Sequence, residues 1–314
     1  MAALPRAFNV VFDLPLVQAW PELQGLIWRG AAANQASWTL PLVACEAVGG
    51  GEEQAAPAVA AIACAQLAII LVDDMLDADP RGAYRRLGAG AAANFAAALQ
   101  AAALEALAQA PLDAAAAVAG QRSLNRMLLA TALGQHQDSQ NPADEAAYWQ
   151  LVRTKSSPFY AAALHLGALV AGAPLELAAR LEQLGHAYGE MIQIHDDLSD
   201  TMATPANPDW TQGRSPLPIL FAQEVEHAER ERFLALRQAM PDPAALAEAQ
   251  AILIRSGAVA YCLDQLLHRH EVARQLVAAL PLARRAGLER LLEDVIDPVR
   301  ELFRAVGAAP PQPA

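Results

Sequence analysis

The sequence predicts an all-α fold, and three observations support this prediction. Hydrophobic residues make up 54% of the 314-residue chain and aromatic residues only 5%, and alanine is abundant, which suits closely packed helices better than sheets. Several apolar segments have the length of helices, and no convincing strand pattern is present. Because no linker-like stretch divides the chain, residues 1–306 are expected to form one helical domain, followed by a disordered tail at 307–314.

Five helices are expected in the N-terminal half of the chain. Glycine and proline residues mark several of their ends: Gly49, Gly50 and Gly51 stop the second helix, Pro80 ends the third, and Pro111 separates the last two. The predicted helices cover residues 14–33, 37–47, 53–79, 94–109 and 112–137.

The C-terminal half is also expected to be helical, with one functional break. Residues 145–170 should be interrupted at Pro158, and such a break would point Lys155 inward from a helix end. A kinked structural helix with a solvated Lys155 is the alternative. Pro174 opens a further helix, and residues 201–218, rich in Pro, Thr, Asn and Asp, form a loop that is a candidate lid. The remaining predicted helices cover residues 219–237, 243–255, 259–280 and 282–306.

The third predicted helix carries the first candidate site. From residue 58 to residue 72 its only polar side chain is Gln66, so this segment should be buried nearly all round. It is shorter than the roughly 20 residues that a bilayer requires, which favours a core helix over a membrane span. The segment ends in Asp73, Asp74 and Asp77. Crowded carboxylates repel one another, and Mg²⁺ relieves that repulsion while it leaves positions for phosphate oxygens.

A second aspartate cluster follows in residues 189–200, GEMIQIHDDLSD. This apolar helical segment ends in Asp196 and Asp197, with Asp200 one turn further on. For either cluster alone, solvated acids at the end of a structural helix are the alternative interpretation. Two such helices in one chain indicate two facing walls of one magnesium site for an anionic substrate.

Charge and cysteine content narrow the possible partners and the compartment. The formal net charge is −12 and no basic stripe is interleaved with aromatic residues, which argues against nucleic-acid binding. Cys45, Cys64 and Cys262 lie far apart among apolar residues, a pattern typical of free thiols in a reducing cytosol. No signal peptide is visible. We therefore expect a cytoplasmic protein that is not an integral membrane protein.

The two clusters resemble the motifs of a known family. DDMLD at 73–77 and MIQIHDDLSD at 191–200 are similar to the first and second aspartate-rich motifs of the trans-isoprenyl diphosphate synthases, the polyprenyl synthetase family of the class I isoprenoid synthase superfamily. The resemblance covers roughly residues 37–261. Further marks follow in that family's order, namely Gly134-Gln135 with Asp138, Lys155, Gly213-Arg214, Leu217-Pro218 and Ser256-Gly257.

The resemblance implies a helical bundle around a central apolar cavity and the ionisation of an allylic prenyl diphosphate. Roughly three Mg²⁺ ions with substrate bound would stabilise the charge that develops on the diphosphate leaving group. Lys155 and Arg214 would add positive charge directly. The implied metal ligands are Asp73, Asp74 and Asp77 on one wall and Asp196, Asp197 and Asp200 on the other.

The resemblance also suggests how substrate specificity is set. Similar synthases close their pocket with bulky aromatics just before the first motif, where this chain has Ala68 and Ile69, so a product of about fifteen to twenty carbons or more is expected. Gln193 would orient a carboxylate or a metal-bound water, with a purely structural glutamine as the alternative. The family further implies a homodimer.

This chain departs from the family at the site for isopentenyl diphosphate. The family's motif Gly-Gly-Lys-Arg-x-Arg-Pro aligns with residues 35–41, QASWTLP, which keep the proline but lack the lysine and both arginines. Losing two or three charge-assisted contacts, each worth about 1.5–3 kcal/mol, would weaken the binding of isopentenyl diphosphate by orders of magnitude unless other residues replace them. Trp38 offers an aromatic face instead, which suits an apolar acceptor or a cation. Gln66 still matches the acceptor pocket, and Arg81 survives from the family's Arg-Arg-Gly.

Three functions follow from these observations. The first is a prenyltransferase that condenses an allylic diphosphate with isopentenyl diphosphate. The second is a terpene synthase, or a transferase to another acceptor, that uses a single prenyl diphosphate without isopentenyl diphosphate. The third is a noncatalytic partner subunit of a prenyl synthase, against which the intact aspartate clusters count.

Overall fold

A computed structural model describes residues 3–138 and 141–305, and in these residues the chain is helical without a strand, as predicted. The helices are α1 (Ala3–Phe12), α2 (Pro15–Gln18), α3 (Pro21–Trp38), α4 (Leu40–Val48), α5 (Glu52–Leu76), α6 (Tyr84–Leu87), α7 (Ala89–Ala108), α8 (Ala114–Asp138), α9 (Glu145–Lys155), α10 (Ser157–Val170), α11 (Leu175–Met202), α12 (Pro208–Thr211), α13 (Leu217–Glu224), α14 (Arg230–Arg237), α15 (Pro243–Arg255), α16 (Ala258–Ala279) and α17 (Ala286–Ala305).

Helices α5 and α10 form the centre of the bundle. Every residue of α10 except Tyr160 is buried, and α5 is buried from Ala55 to Leu71 except at Gln66, Ile69 and Ile70. Helices α1, α4, α7, α8 and α11 pack around this pair. The three exceptions on α5 line a cavity, so this helix contributes both the core and one wall of the site.

A smaller hydrophobic cluster supports the segment that follows α11. Trp210, Ile219 and Phe233 are buried in this cluster, which helices α12 to α15 supply. The indole of Trp210 donates to the carbonyl of Thr201 at 3.0 Å, and the amide of Gln250 donates to the same oxygen at 3.1 Å. The polar connection between α11 and α13 is therefore anchored at its beginning.

The structure corrects several predicted helix boundaries. The predicted first helix at 14–33 is divided before Pro21, and α3 runs on to Trp38, where Thr39 interrupts the chain before α4. Helix α1 and the short helix α6 were not predicted, and α7 begins five residues before the predicted start at 94. The predicted helix 219–237 is two helices, because the chain turns between Glu224 and Arg230.

Other boundaries agree with the sequence prediction. Helix α15 has the predicted bounds, Pro243–Arg255. The break in 145–170 falls at Ser156, and Pro158 lies in the first turn of α10, where its missing N–H has no helical partner to lose. The predicted tail at 307–314 lies outside the described residues, and the single-domain organisation stays a prediction.

Among the described residues, α5 and α7 are each long and apolar enough to cross a membrane by length and composition, and α15 with α16 passes the same test as one bent pair. In the most apolar window of α5, 78% of the residues are buried inside the protein, and in that of α7 the share is 44%. The core packing of α5 supports the prediction of a core helix.

Candidate active site

The two aspartate clusters lie at the rims of two adjoining cavities. One cavity, of about 180 Å³, is polar and is lined by Asp196, Asp200, Lys155 and Arg214. The other, of about 260 Å³, reaches from Asp73 inward. Both contain Lys155, Ser156, Gln193 and Asp196, and the inner cavity has a largely apolar wall of Ile69, Ile70, Phe159, Tyr160 and Ile192.

Lys155 reaches the cavities from the end of α9, as the predicted break requires. Its ammonium pairs with Asp138 and lies 3.6 Å from Asp73. Burial acts to lower the pKa of Lys155, but the charges of Asp73 and Asp138 outweigh it and raise this pKa above the ordinary value. A Cβ on Gly134 would lie 2.5 Å from the Lys155 Cα, so only glycine allows α8 to approach the end of α9 this closely.

Arg214 joins the connection between α11 and α13 to the first aspartate cluster. Its Nη2 donates to Asp77 Oδ1 at 2.5 Å, and its Nη1 donates to Oδ2 of the same carboxylate at 3.2 Å. This two-point contact fixes the guanidinium plane across the cleft. The backbone of Arg214 is held as well, by a bond from its N–H to the carbonyl of Asp209 at 2.9 Å.

Three carboxylates at the rim, Asp73, Asp74 and Asp200, are destabilised in their charged form. Burial raises the pKa of Asp73, Asp74 and Asp200, and neighbouring carboxylates add to the increase in each case. Gln135 of α8 donates a hydrogen bond to Asp73, which satisfies one of its oxygens. Negative charge is therefore in excess at the rim, even with Lys155 and Arg214 present.

Asp197 differs from its neighbours because both of its oxygens already accept hydrogen bonds. Tyr148 donates its hydroxyl at 2.7 Å, Gln193 its amide at 2.7 Å and the backbone of Leu217 its N–H at 2.8 Å. Only 7% of Asp197 is exposed, and burial raises its pKa to about 7. This carboxylate ties α9, α11 and α13 together, and of the two roles considered for Gln193 the bond favours orientation of a carboxylate.

Comparison with known proteins assigns the chain to a family. The family model for polyprenyl synthetase matches residues 38–253, which is more than half of the chain. The chain belongs to the polyprenyl synthetase family. Solved structures agree in fold: a decaprenyl diphosphate synthase from Rhodobacter capsulatus matches with a TM-score of 0.82 at 20% identity over 95% of this chain and 97% of that one. The predicted class I isoprenoid synthase fold is confirmed.

The curated relatives are similar over part of their length. A heptaprenyl diphosphate synthase component 2 from Geobacillus stearothermophilus is 34% identical over 152 residues, which is 46% of this chain and 46% of that protein. A geranylfarnesyl diphosphate synthase from Aeropyrum pernix is 29% identical over 164 residues, 50% of this chain and 51% of that protein. The chain thus spans about half the length of the curated relatives that it matches.

The carboxylates at the rim fit Mg²⁺, although the described part of the chain contains no preformed metal site. Among the described residues, no three His, Cys, Asp or Glu side chains are grouped closely enough to hold an ion by themselves. The rim nevertheless offers hard oxygen donors from two walls with excess negative charge, which suits a cation whose remaining ligands are water and phosphate oxygens. The ligand role of Asp73, Asp74, Asp77, Asp196, Asp197 and Asp200 stays a prediction.

Two predicted substrate contacts, Trp38 and Ala68, lie in the core, whereas Arg81 is exposed near Asp74 and Asp200 and its role stays a prediction. Trp38 is 0% exposed and packs edge-on against Phe8, with ring centroids 6.4 Å apart, because α3 continues past the expected loop and turns this side chain into the core. Ala68 is also fully buried, and Ile69 beside it lines the cavity instead. The guanidinium of Arg81 is engaged by Asp79, with an Nη2–Oδ2 distance of 2.9 Å.

The sequence assigned no specific contact to Asp138 and no role to Asp209. Asp138 pairs with Lys155, and Asp209 lines the polar cavity from the connecting loop. Gln66 lines the inner cavity as expected, and its Oε1 accepts no bond from the described residues. The spacing of Gly134 before Gln135 and Asp138 was the only available signal for the α8 wall, whereas Asp209 carried none.

Proposed function

We propose that this protein is a Mg²⁺-dependent trans-prenyltransferase that ionises an allylic prenyl diphosphate and condenses the resulting cation with isopentenyl diphosphate. The observation that carries this proposal is the pair of aspartate clusters that flank Lys155 and Arg214 at the mouth of an apolar cavity. Family membership and the names of the relatives support the reaction class.

Some residues of the site would stabilise charge on the diphosphate, and others would exclude water. Asp73, Asp77, Asp196 and Asp200 would hold Mg²⁺, which as a Lewis acid stabilises negative charge on the departing diphosphate. Lys155 and Arg214 would contact the same oxygens and orient them. The wall formed by Ile69, Ile70, Phe159 and Ile192 would hold the hydrocarbon and keep water from the cation.

A second candidate function uses one prenyl diphosphate and no isopentenyl diphosphate. It is favoured by the two core side chains that occupy positions of the family's basic motif, Trp38 at 0% and Leu40 at 2% exposure. Neither can bind a diphosphate. An enzyme of this kind would release a hydrocarbon or an alcohol.

The test is a product assay with the purified protein, Mg²⁺, and dimethylallyl, geranyl, farnesyl or geranylgeranyl diphosphate, each with and without isopentenyl diphosphate. Chain extension that requires isopentenyl diphosphate is the expected result. Release of diphosphate with a hydrocarbon or alcohol in its absence would support the second candidate. No consumption of any of the four allylic diphosphates would overturn both.

A variant pair checks that the turnover comes from this site. Lys155→Met should lower the rate by at least about a hundredfold, because a direct charge contact to the leaving group is lost. Asp264→Asn, on an exposed part of α16, is the matched control and should leave the rate unchanged. Circular dichroism of both variants confirms that the helical fold is retained.

Oligomeric state, compartment and product length belong to the proposal as well. We expect a cytoplasmic homodimer and a product of about fifteen to twenty carbons or more, on the grounds given by the sequence. One relative carries the name of a synthase component, which keeps a role beside a second chain among the alternatives.

A further inference from the structure

A third cavity lies beside the loop that carries Arg214. It measures about 880 Å³ and is lined in part by polar side chains of this loop, of α13 and of the end of α14, among them Gln212, Gln223, Gln238 and Arg237. It has Ser215 in common with the polar cavity of the candidate active site, but none of the aspartates of the two clusters lines it. The chemical class of a ligand for this cavity is therefore inferred from Arg237 and the glutamine amides.

Arg237 is a partly buried arginine that pairs with none of the carboxylates that the structure describes. Its guanidinium makes one hydrogen bond among the described residues, from Nη2 to the carbonyl oxygen of Arg214 at 2.7 Å. Burial lowers the pKa of Arg237, and no carboxylate acts in the opposite direction. Other partly buried arginines do have such partners, since Arg214 contacts Asp77 and Arg269 contacts Glu190.

The rest of the described lining adds amide donors and one carboxylate, Glu231. The amide nitrogens of Gln212, Gln223 and Gln238 donate no hydrogen bond to any described residue, while Gln223 accepts one from Ser215 at 3.1 Å through its oxygen. The acid at the edge, Glu231, is 91% exposed and lies 3.6 Å from Arg230. A half-buried guanidinium that lines the same cavity as these amide donors suits the binding of an anion with several acceptor oxygens.

We propose that this cavity is a binding site for a phosphate or diphosphate group, with Arg237 as its main contact. After its bond to Arg214, the planar guanidinium keeps four of its five N–H donors without a partner among the described residues. The same bond links this cavity to the candidate active site. Arg237 donates to the backbone carbonyl of Arg214, and the side chain of Arg214 donates to Asp77. Occupancy of the cavity would thus act on the position of Arg214.

The experiment measures anion binding by calorimetry in EDTA, which removes the metal that the aspartate clusters require. The probes are inorganic phosphate, inorganic diphosphate and geranyl diphosphate. The full-length protein should bind them, and Arg237→Gln should weaken binding at least about tenfold, since a charge-assisted contact is lost. Equal affinity for the two diphosphates would identify the free anion as sufficient; tighter binding of geranyl diphosphate would show that the prenyl chain contributes.

Three further variants keep the proposal falsifiable. Arg237→Lys retains the charge and should retain part of the affinity, which guards against a fold defect in Arg237→Gln. Arg232→Gln, on the exposed side of the same helix and paired with Glu248, is the matched control and should bind like the unmodified protein. Lys155→Met reports any anion binding that comes from the candidate active site instead. Loss of phosphate binding in Lys155→Met but not in Arg237→Gln, or no binding by the unmodified protein, would overturn the inference without touching the proposed reaction.

Discussion

Lys155 and Arg214 each contact a carboxylate of the first aspartate cluster. Lys155 lies 3.6 Å from Asp73, and Arg214 holds Asp77 through two hydrogen bonds. A diphosphate would have to share these cations with the carboxylates, while Mg²⁺ bound by the carboxylates would lessen that competition. At the scale of the residue, the site is thus built from charges whose balance changes when metal and substrate bind together.

A buried histidine far from the aspartate clusters makes stability depend on pH. His165 on α10 is 7% exposed, and its Nδ1 has no partner among the described residues. Burial lowers its pKa, so the folded protein favours the neutral ring. Its contribution to stability is complete above the unfolded pKa of about 6.5 and is lost as the pH falls from there towards the lower folded value.

Replacing His165 should make the melting temperature depend less on pH. When the pH falls from about 7.5 to about 5.5, we expect the melting temperature of His165→Gln to fall less than that of the unmodified protein, because the glutamine takes up no proton. Thermal melts of both proteins at the two pH values measure the difference. Since other groups titrate in this range, the comparison between the two proteins isolates His165. An identical loss in both would contradict the assignment.

At the scale of the element, glycine decides how closely helices approach. A Cβ on Gly167 of α10 would lie 2.8 Å from the backbone carbon of Pro41 on α4 and closer still to its oxygen. At Gly120 of α8 the nearest atom is the side-chain carbon Leu166 Cδ2 at 3.4 Å. The first contact is with a rigid backbone, and the second is an ordinary contact with a flexible side chain.

The two glycines should therefore respond differently to alanine. Gly167→Ala should destabilise the protein by about 1–3 kcal/mol or more, because α4 and α10 must move apart. Gly120→Ala, the matched control inside another helix, should be neutral or stabilise by up to about 1 kcal/mol through helix propensity. Urea unfolding followed by circular dichroism measures both. Equal destabilisation would show that α4 and α10 are not packed as described.

At the scale of the whole molecule, metal and diphosphate should stabilise the fold jointly. No three metal-binding side chains of the described residues are grouped, and we expect phosphate oxygens to complete the coordination of Mg²⁺ between the two walls. Mg²⁺ with inorganic diphosphate should raise the melting temperature by more than the sum of the separate shifts. A ligand at a hundredfold excess over its Kd contributes about 2.7 kcal/mol, which corresponds to several degrees.

Variants on each wall locate this effect. Asp73→Asn and Asp196→Asn should each reduce the joint shift, because each removes a charged oxygen donor from one wall, whereas the exposed Asp264→Asn should not. Differential scanning fluorimetry with Mg²⁺, diphosphate and both together provides the measurement. A full shift with Mg²⁺ alone would mean that the carboxylates form a complete metal site by themselves, contrary to the geometry.

The sequence by itself determined the parts that depend on neighbouring residues. Local patterns identified the buried helix α5, the two aspartate clusters at helix ends, and the break that directs Lys155 into the cleft. Helix periodicity, proline and acidic spacing act over a few residues, so they can be recognised without a structure.

Only the tertiary structure decided which of these parts meet. The Arg214 contact to Asp77 spans 137 positions of the chain, and Asp138 and Asp209 reach the site from α8 and α12, which lie outside both clusters. Trp38 was expected at the acceptor site and is in the core, because the direction of its side chain depends on how α3 packs against α1. Such contacts follow from the packing of distant helices, which no local pattern encodes.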